Sequence, residues 1–208
     1  MPSFRRFDMK SSGCFKYLSG VLLLLLWTPL VSGQPIHAVP AEFLFNQSGS
    51  SISFLASSTL HTVKGSVKKF KGKVLFPAPD EPSLGSVVLE IEAQSLDTNH
   101  EARDKKIRED CLEVARFTMI RFKSLEIRSG RQSGKVEVLG LLDLHGVQKR
   151  ILIPVDYTYI PPAFHVKGKT IVKLSDFQIP EPRFLFLRVK DEVEIEFDIQ
   201  ASSSPLPS

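Results

Sequence analysis

The chain has 208 residues, 42% of them hydrophobic and 24% charged, and a formal net charge of +4. The positive excess lies in the N-terminal segment, because residues 34–208 carry 23 basic and 22 acidic side chains. A domain so close to neutral, without interleaved basic and aromatic residues, gives no electrostatic footprint for nucleic acid. The remaining length is enough for one domain with a sizeable core.

Residues 1–33 have the order of a secretory signal peptide. Four basic side chains precede an apolar run over residues 18–31, and the small residues Ser32 and Gly33 follow. The run is shorter than the roughly 20 residues that a membrane-spanning helix needs, and Pro29 interrupts it near its end. We therefore predict that residues 1–33 are cleaved and that the mature chain is exported.

Residues 34–49 are predicted as an N-terminal tail and lead-in, residues 50–201 as the folded domain, and residues 202–208 as a C-terminal tail. Within the domain apolar and polar residues alternate, most clearly over residues 193–199. Successive side chains of a strand point to opposite faces, so such segments lie between an apolar interior and water. Eight strands are predicted, over residues 52–57, 67–76, 87–92, 118–128, 135–144, 150–159, 164–174 and 192–199.

Residues 98–116 interrupt this alternation and favour one or two short helices. Thr98 and Glu101 have the spacing of a capping box, which predicts a helix start at Thr98. The helical region has an apolar stripe that would cover an open end of a barrel, formed by Ala102, Ile107, Cys111, Val114 and Ala115.

Cys111 is the only cysteine left after cleavage at residue 33, so the mature chain has no internal disulfide. A cysteine among apolar neighbours is typical of a small buried group, and we predict burial for this thiol.

Farther along the chain, Gly-containing turns at residues 129–134 and at His145-Gly146 predict hairpins, so neighbouring strands are antiparallel.

Two separated segments, Ser95–Asp104 and Gly140–Lys149, resemble connections of the YceI-like family of lipid-binding, lipocalin-like barrels. The first contains the family's Ser-Leu-Asp-Thr and Arg-Asp motifs and the second its Gly-x-Leu-x-x-His-Gly-Val turn. The motif residues concerned, for which we predict structural roles, are Asp97, Thr98, Arg103, Asp104, His145 and Gly146. A late Ser175-Asp-Phe177 also resembles the family pattern.

The resemblance implies an all-β, antiparallel, eight-stranded barrel with a helical connection over residues 98–116. It further implies an apolar interior that holds a polyisoprenoid or isoprenoid quinone without covalent attachment, for transport or storage in a bacterial periplasm; secretion is the alternative location. No cofactor is implied. The sequence departs from the family pattern at Ser58, with His61 following it, at Cys111-Leu112 and at Thr118. If a family histidine holds the ligand's head group, Ser58 predicts a different ligand here.

The ligand-lining candidates are the inward apolar residues of the predicted strands. A packed core and a ligand cavity require the same inward residues, so a filled barrel serving as a structural or interaction module at the cell envelope is the alternative. The candidates are Phe54, Phe70, Phe76, Leu89, Ile91, Ile120, Phe122, Val138, Leu142, Ile153, Ile195 and Phe197.

Catalysis and metal binding are not predicted. The sequence has no nucleophile elbow, phosphate loop or dinucleotide fingerprint, and its histidines lack metal-ligand spacing. A hydrolase would require His61 or His145 to meet a nucleophile in a cleft.

The lysine-rich stretch over residues 64–73 is predicted as a solvated strand face, with transient contact to an anionic membrane surface as the alternative. No oligomeric state is predicted.

Overall fold

A computed structural model describes residues 41–58, 62–76, 82–180, 183–184 and 187–203, so the predicted signal peptide and His61 lie outside the described residues. One α-helix, α1 (Glu101–Lys106), is continued by a π-helical turn, Ile107–Cys111, and short 3-10 turns cover Pro82–Leu84, Ala93–Ser95 and Leu174–Phe177. The strands are β1 (Ala41–Asn46), β2 (Ser51–Ser58), β3 (Thr62–Val67), β4 (Phe70–Phe76), β5 (Ser86–Glu92), β6 (Leu96–Asp97), β7 (Met119–Ser129), β8 (Lys135–Leu144), β9 (Val147–Ile160), β10 (Ala163–Lys173), β11 (Arg183–Phe184) and β12 (Leu187–Ser203).

The strands form a closed antiparallel barrel. Neighbours follow the order β1, β4, β5, β7, β8, β9, β10 and β12, and β12 pairs with β1 to close the ring. Strand β2 also pairs with β12, and β3 pairs with β2. The consecutive strands β1 and β2 therefore share one strand position of the barrel wall, and β3 and β4 share another. Counted in this way, the wall has eight strand positions. The structure therefore confirms the predicted all-β, eight-stranded barrel with a short helix in the connection over residues 98–116.

Strands β10 and β12 show why the alternating pattern produces this wall. Over residues 192–199 the apolar side chains face the interior, while the acidic side chains lie on the outer face. There they meet lysines of β10 that stand opposite them or diagonally to them in the register; for example, Lys167 Nζ lies 2.9 Å from Asp198 Oδ2. The two-residue period thus sets both the core and the polarity of the outer surface.

The N-terminal boundary of the barrel differs from the predicted one. Residues 34–49 were assigned to a tail and lead-in, yet they contain β1, which pairs with β4 along six residues. Phe43 and Phe45 are buried, whereas Leu44 between them is 44% exposed, so this strand has an apolar residue on its outer face. The apolar Leu44 hides the alternation that identified the other strands. At the opposite end of the domain, β12 extends through Ser203 into the predicted C-terminal tail.

The predicted start of the helix is wrong. Helix α1 begins at Glu101 and its N-cap is His100, whose Nδ1 accepts a hydrogen bond from the backbone N–H of Arg103 at 3.3 Å. Thr98 does not cap the helix because it is buried against Asp104. The apolar stripe is also shorter than predicted, since Ala102 and Ala115 are exposed. The predicted burial of Cys111 is confirmed.

Asp191 fastens the turn after β10 to β12. Its carboxylate accepts hydrogen bonds from the backbone N–H and the hydroxyl of Ser175, both at 2.7 Å. These bonds hold the pKa of Asp191 below its ordinary value. The charged carboxylate is the form that the turn requires.

We expect the substitution Asp191→Asn to destabilise the barrel at neutral pH and to lose this effect in acid. A carboxylate with a lowered folded-state pKa stabilises the fold above its unfolded-state pKa and loses that contribution as the pH falls through the folded-state value. Urea midpoints of the two proteins should therefore differ at pH 7 and converge below about pH 4. A difference that is constant down to pH 2 would contradict the assignment.

Candidate ligand-binding cavity

The barrel encloses a cavity of about 500 Å³ whose walls are almost entirely apolar. Of the twelve predicted ligand-lining residues, the structure brings eleven together around it; Phe70 is buried in the core but does not line the cavity. Their role in binding a ligand stays a prediction. The eleven are Phe54, Phe76, Leu89, Ile91, Ile120, Phe122, Val138, Leu142, Ile153, Ile195 and Phe197.

Phenylalanine rings lie against the cavity wall over glycines of the neighbouring strand. Phe54 on β2 stands opposite Gly65 on β3, and a β-carbon on Gly65 would collide with Cζ of that ring. Phe197 is placed in the same way over Gly168. Any side chain at these glycines would push the rings toward the centre of the barrel. The same arrangement recurs for Phe45 with Gly72 and, diagonally, for Phe122 with Gly140.

One end of the cavity is closed by an aromatic layer, which consists of Phe76, Tyr157 and Phe164. Phe76 stacks on Phe164 with ring centroids 4.6 Å apart, and Tyr157 stacks on the same ring at 5.7 Å. Phe43 and Tyr159 pack behind this layer, with their centroids 5.4 and 5.2 Å from that of Phe164. Phe43 and Phe164 are each only 1% exposed, so this end of the barrel is a packed core.

The basic residues of the cavity wall lie at the opposite end, beside α1. His100, Arg103 and Lys106 line the cavity and are spaced three residues apart, which places them on one side of the helix. Ser58, at the end of β2, also lines this end. Sequence reasoning did not identify His100 and Lys106 as lining residues. Their spacing of three residues from Arg103 is visible in the sequence and could have indicated that the three residues share one side of the helix.

The family-motif residues on this connection form a buried polar cluster around Thr98. Thr98 donates from its backbone N–H and its hydroxyl to Oδ1 of Asp104, at 2.9 and 2.5 Å. Arg103 donates from Nε to the Thr98 hydroxyl at 2.7 Å and from Nη2 to its carbonyl at 2.8 Å. Arg108 Nη2 lies 3.9 Å from the second Asp104 oxygen. The cluster ties the end of β6 to α1, and hydrogen bonds to Thr98 occupy Arg103.

Asp97, the remaining motif residue on this connection, lies near the protein surface and contacts Asn99 and Lys68. Its carboxylate accepts a hydrogen bond from the backbone N–H of Asn99 at 2.8 Å and lies 3.3 Å from Lys68 Nζ. The bond from Asn99 is the main reason why the pKa of Asp97 lies below its ordinary value. This carboxylate therefore holds the turn that leads from β6 toward α1.

His145 and Gly146 form the two-residue turn between β8 and β9, with φ angles of 54° and 73°. Positive φ at both positions is the requirement of a type I′ hairpin. The Nδ1 of His145 lies 3.2 Å from the carbonyl oxygen of Phe177, and Nε2 lies 3.3 Å from Oε1 of Glu113. Both nitrogens therefore hold neighbouring segments in place, and among the described residues neither is directed at a nucleophile.

The lysine-rich stretch is balanced by carboxylates of the adjacent strands. Each of four lysines lies within 3.6 Å of an acidic side chain, so the outer face carries paired charges and not a purely basic strip. The pairs are Lys68 with Asp97, Lys69 with Glu92, Lys71 with Glu90 and Lys73 with Glu42.

Two searches of the described ranges gave negative results. No group of three His, Cys, Asp or Glu side chains in them is placed to hold a metal ion. In the same ranges, no helix has the length and apolar character needed to cross a membrane.

Three of the residues that depart from the family pattern lie in the cavity wall. Ser58, Cys111 and Leu112 all line the polar end of the cavity or the region next to it. Burial and the neighbouring charge of Asp110 raise the pKa of the Cys111 thiol, which keeps it protonated at neutral pH. The wall of this cavity therefore differs chemically from the family pattern at these three positions.

A closed antiparallel barrel with an enclosed apolar cavity defines a lipocalin-like class of protein. The sequence profile of the YceI-like domain matches residues 43–201. The chain belongs to the YceI-like family, as its motifs predict.

Curated relatives support this assignment. A UPF0312 protein of Ectopseudomonas mendocina is 31% identical over 169 residues, which cover 75% of this chain and 84% of the relative. A UPF0312 protein of Vibrio cholerae is 32% identical over 139 residues, covering 65% and 72%.

Solved structures show the same fold. BcnA of Burkholderia cenocepacia aligns with a TM-score of 0.69 at 22% identity, covering 76% of this chain and 99% of BcnA. A domain from Saccharophagus degradans, described as a polyisoprenoid binding domain implicated in plant cell wall breakdown, aligns with a TM-score of 0.64 at 16% identity. That alignment covers 80% of this chain and 100% of the domain.

Replacing Asp104 by alanine should destabilise the barrel strongly. Asp104 is 2% exposed, and loss of its carboxyl group leaves the buried Thr98 donors and the Arg108 charge without their acceptor. Removing one partner of such a buried pair costs about 3 kcal/mol in the free energy of unfolding. Urea denaturation measures this change, and Glu109→Ala on the exposed side of the same segment is the control. Equal stability of the two variants would show that the cluster is unimportant.

Adding a methyl group at Gly65 should force the ring of Phe54 away from the wall. We expect Gly65→Ala to lower the free energy of unfolding by about 1–3 kcal/mol through overpacking. Phe54→Leu removes the colliding ring atoms, so the double variant should be more stable than the sum of the two single effects predicts. Denaturant unfolding of all four proteins measures the coupling. Strict additivity would mean that ring and glycine are independent.

Proposed function

We propose that this protein binds a lipid, enclosing a long apolar ligand such as a polyisoprenoid or an isoprenoid quinone for transport or storage. The observation that carries the proposal is the apolar cavity of about 500 Å³ inside a closed barrel. An eight-stranded barrel is either filled by its own side chains or holds one slender ligand. The open interior supports the second state and counts against the alternative of a filled structural module.

Apolar contact alone is enough to bind such a ligand. Each buried methylene group contributes about 0.8 kcal/mol, so a chain of 20 carbons gains on the order of 16 kcal/mol before the costs of association. Those costs are roughly 4–15 kcal/mol. A buried chain therefore needs few polar contacts, and a head group would lie at the end of the cavity beside α1, where His100, Arg103 and Lys106 are found.

The proposal includes no bond chemistry and no cofactor. The motif residues Thr98, Arg103 and Asp104 bond to one another, and His145 bonds to backbone and to Glu113. These contacts support structural roles for them. A non-covalent lipid is the only small molecule that the proposed function requires.

Export to a periplasm, or alternatively secretion, is part of the same proposal. It is supported by the signal-peptide order of residues 1–33 and by the bacterial sources of the relatives. A long isoprenoid partitions into membranes, so transient contact with a membrane surface during loading and release belongs to the proposal as well.

Native mass spectrometry tests the proposal. The domain is purified without detergent from an exporting bacterial host, and bound molecules are extracted with solvent and identified. We expect one hydrophobic molecule per chain. Occupancy should also slow labelling of Cys111 by N-ethylmaleimide, because this thiol lines the cavity. A bare chain that takes up no added prenyl lipid, with unchanged labelling, would exclude the function.

A further inference from the structure

We propose that the aromatic layer of Phe76, Tyr157 and Phe164 sets the length of the bound chain, with a preference for about 20 carbons. This inference rests on the proposed lipid-binding function and adds a ligand size and the residues that determine it. Two measures of the cavity, its volume and its depth, support the size.

The volume supports a chain of intermediate length. An apolar protein cavity of about 150 Å³ accommodates benzene, which has six carbons. At the same ratio of volume to carbon, the 500 Å³ of this cavity corresponds to about 20 carbons. Four isoprene units have this size, whereas a chain of eight or nine units is about twice as large.

The depth of the cavity agrees with the volume. Along β10 the lining runs from Phe164, in the aromatic layer, to Val172 near the polar end. Eight residue steps of about 3.4 Å, on a strand tilted by about 40° to the barrel axis, span roughly 20 Å along that axis. This depth exceeds the roughly 15 Å of one hydrocarbon leaflet, so an extended chain of moderate length fills it.

The aromatic layer is a firm boundary because it is backed by a second set of rings. Phe43 meets both Phe76 and Phe164 edge-on, and Tyr159 packs on Phe164. A longer chain would have to displace Phe76 and Phe164, which are buried and pack on each other and on Phe43, and close-packed protein interiors leave few voids into which such rings could move. The basic side chains of the cavity wall lie at the opposite end, so the apolar terminus of the ligand meets the rings.

A chain-length competition tests the inference. The protein is incubated with an equimolar mixture of farnesol, geranylgeraniol and solanesol, which have three, four and nine isoprene units. It is then re-purified, and the bound alcohols are extracted and quantified. We expect wild type to retain geranylgeraniol at least about tenfold over solanesol, which corresponds to about 1.4 kcal/mol.

Phe76→Ala should open the closed end and shift the retained ratio toward solanesol by about tenfold or more. Phe70→Ala is the matched control, because Phe70 lies on the same strand with nearly equal burial, 4% against 5%, but outside the cavity wall. It should leave the ratio unchanged. Thermal unfolding verifies that each variant is folded, and Phe76→Leu replaces the alanine variant if that one is unstable.

The outcomes separate the inference from the proposed function. If wild type retains none of the three alcohols, the proposed function fails. If it retains all three without a preference, or if Phe70→Ala shifts the ratio as much as Phe76→Ala, the protein binds lipids but the aromatic layer does not set their length.

Discussion

The open interior of this barrel depends on the contact between phenylalanine rings and glycines of neighbouring strands. Four rings lie in space that a side chain would otherwise occupy, so they add apolar surface to the wall while extending less far into the barrel. Glycine is a weak strand former, but an aromatic ring over it supplies the missing packing. The contact therefore stabilises the wall and preserves the cavity at once.

This arrangement has an energetic counterpart. Unfilled apolar volume costs about 24 cal/mol per Å³ in engineered cavities, so 500 Å³ corresponds to about 12 kcal/mol at most. That is comparable with the whole folding free energy of a typical domain. An apolar occupant offsets this cost, and by linkage any ligand that binds only the folded chain stabilises it. The bound molecule is then best regarded as the missing part of the hydrophobic core.

The sequence predicted the wall well because a two-residue alternation leaves few choices. The strand over residues 193–199 and its inward face followed from that pattern alone. Strand β1 was missed because Leu44 places an apolar side chain on the outer face. The capping box failed for a different reason: Thr98 satisfies a buried carboxylate from a position that local spacing assigned to the helix start. At Thr98, therefore, a tertiary contact overrode a local rule.

Whether the barrel is hollow was beyond sequence reasoning, and the reason is physical. Inward residues of a packed core and of a cavity wall obey the same pattern, as the lining residue Phe76 and the non-lining residue Phe70 illustrate. Part of the information that separates a cavity wall from a packed core lies in which glycine stands opposite which ring, as Gly65 does Phe54 and Gly168 does Phe197. That pairing emerges only when the register of β2 with β3, or of β10 with β12, is known.

Strand β12 joins β10, β2 and β1, so the first and last described strands of the chain meet along one seam. During synthesis on a ribosome, the first strands emerge long before their partner exists, and no ring can form until residues 187–203 are available. Pairings between such distant segments are slow because loop closure must precede them. The ring therefore stays open on the ribosome until β12 has been synthesised, and its earlier strands wait for their last partner.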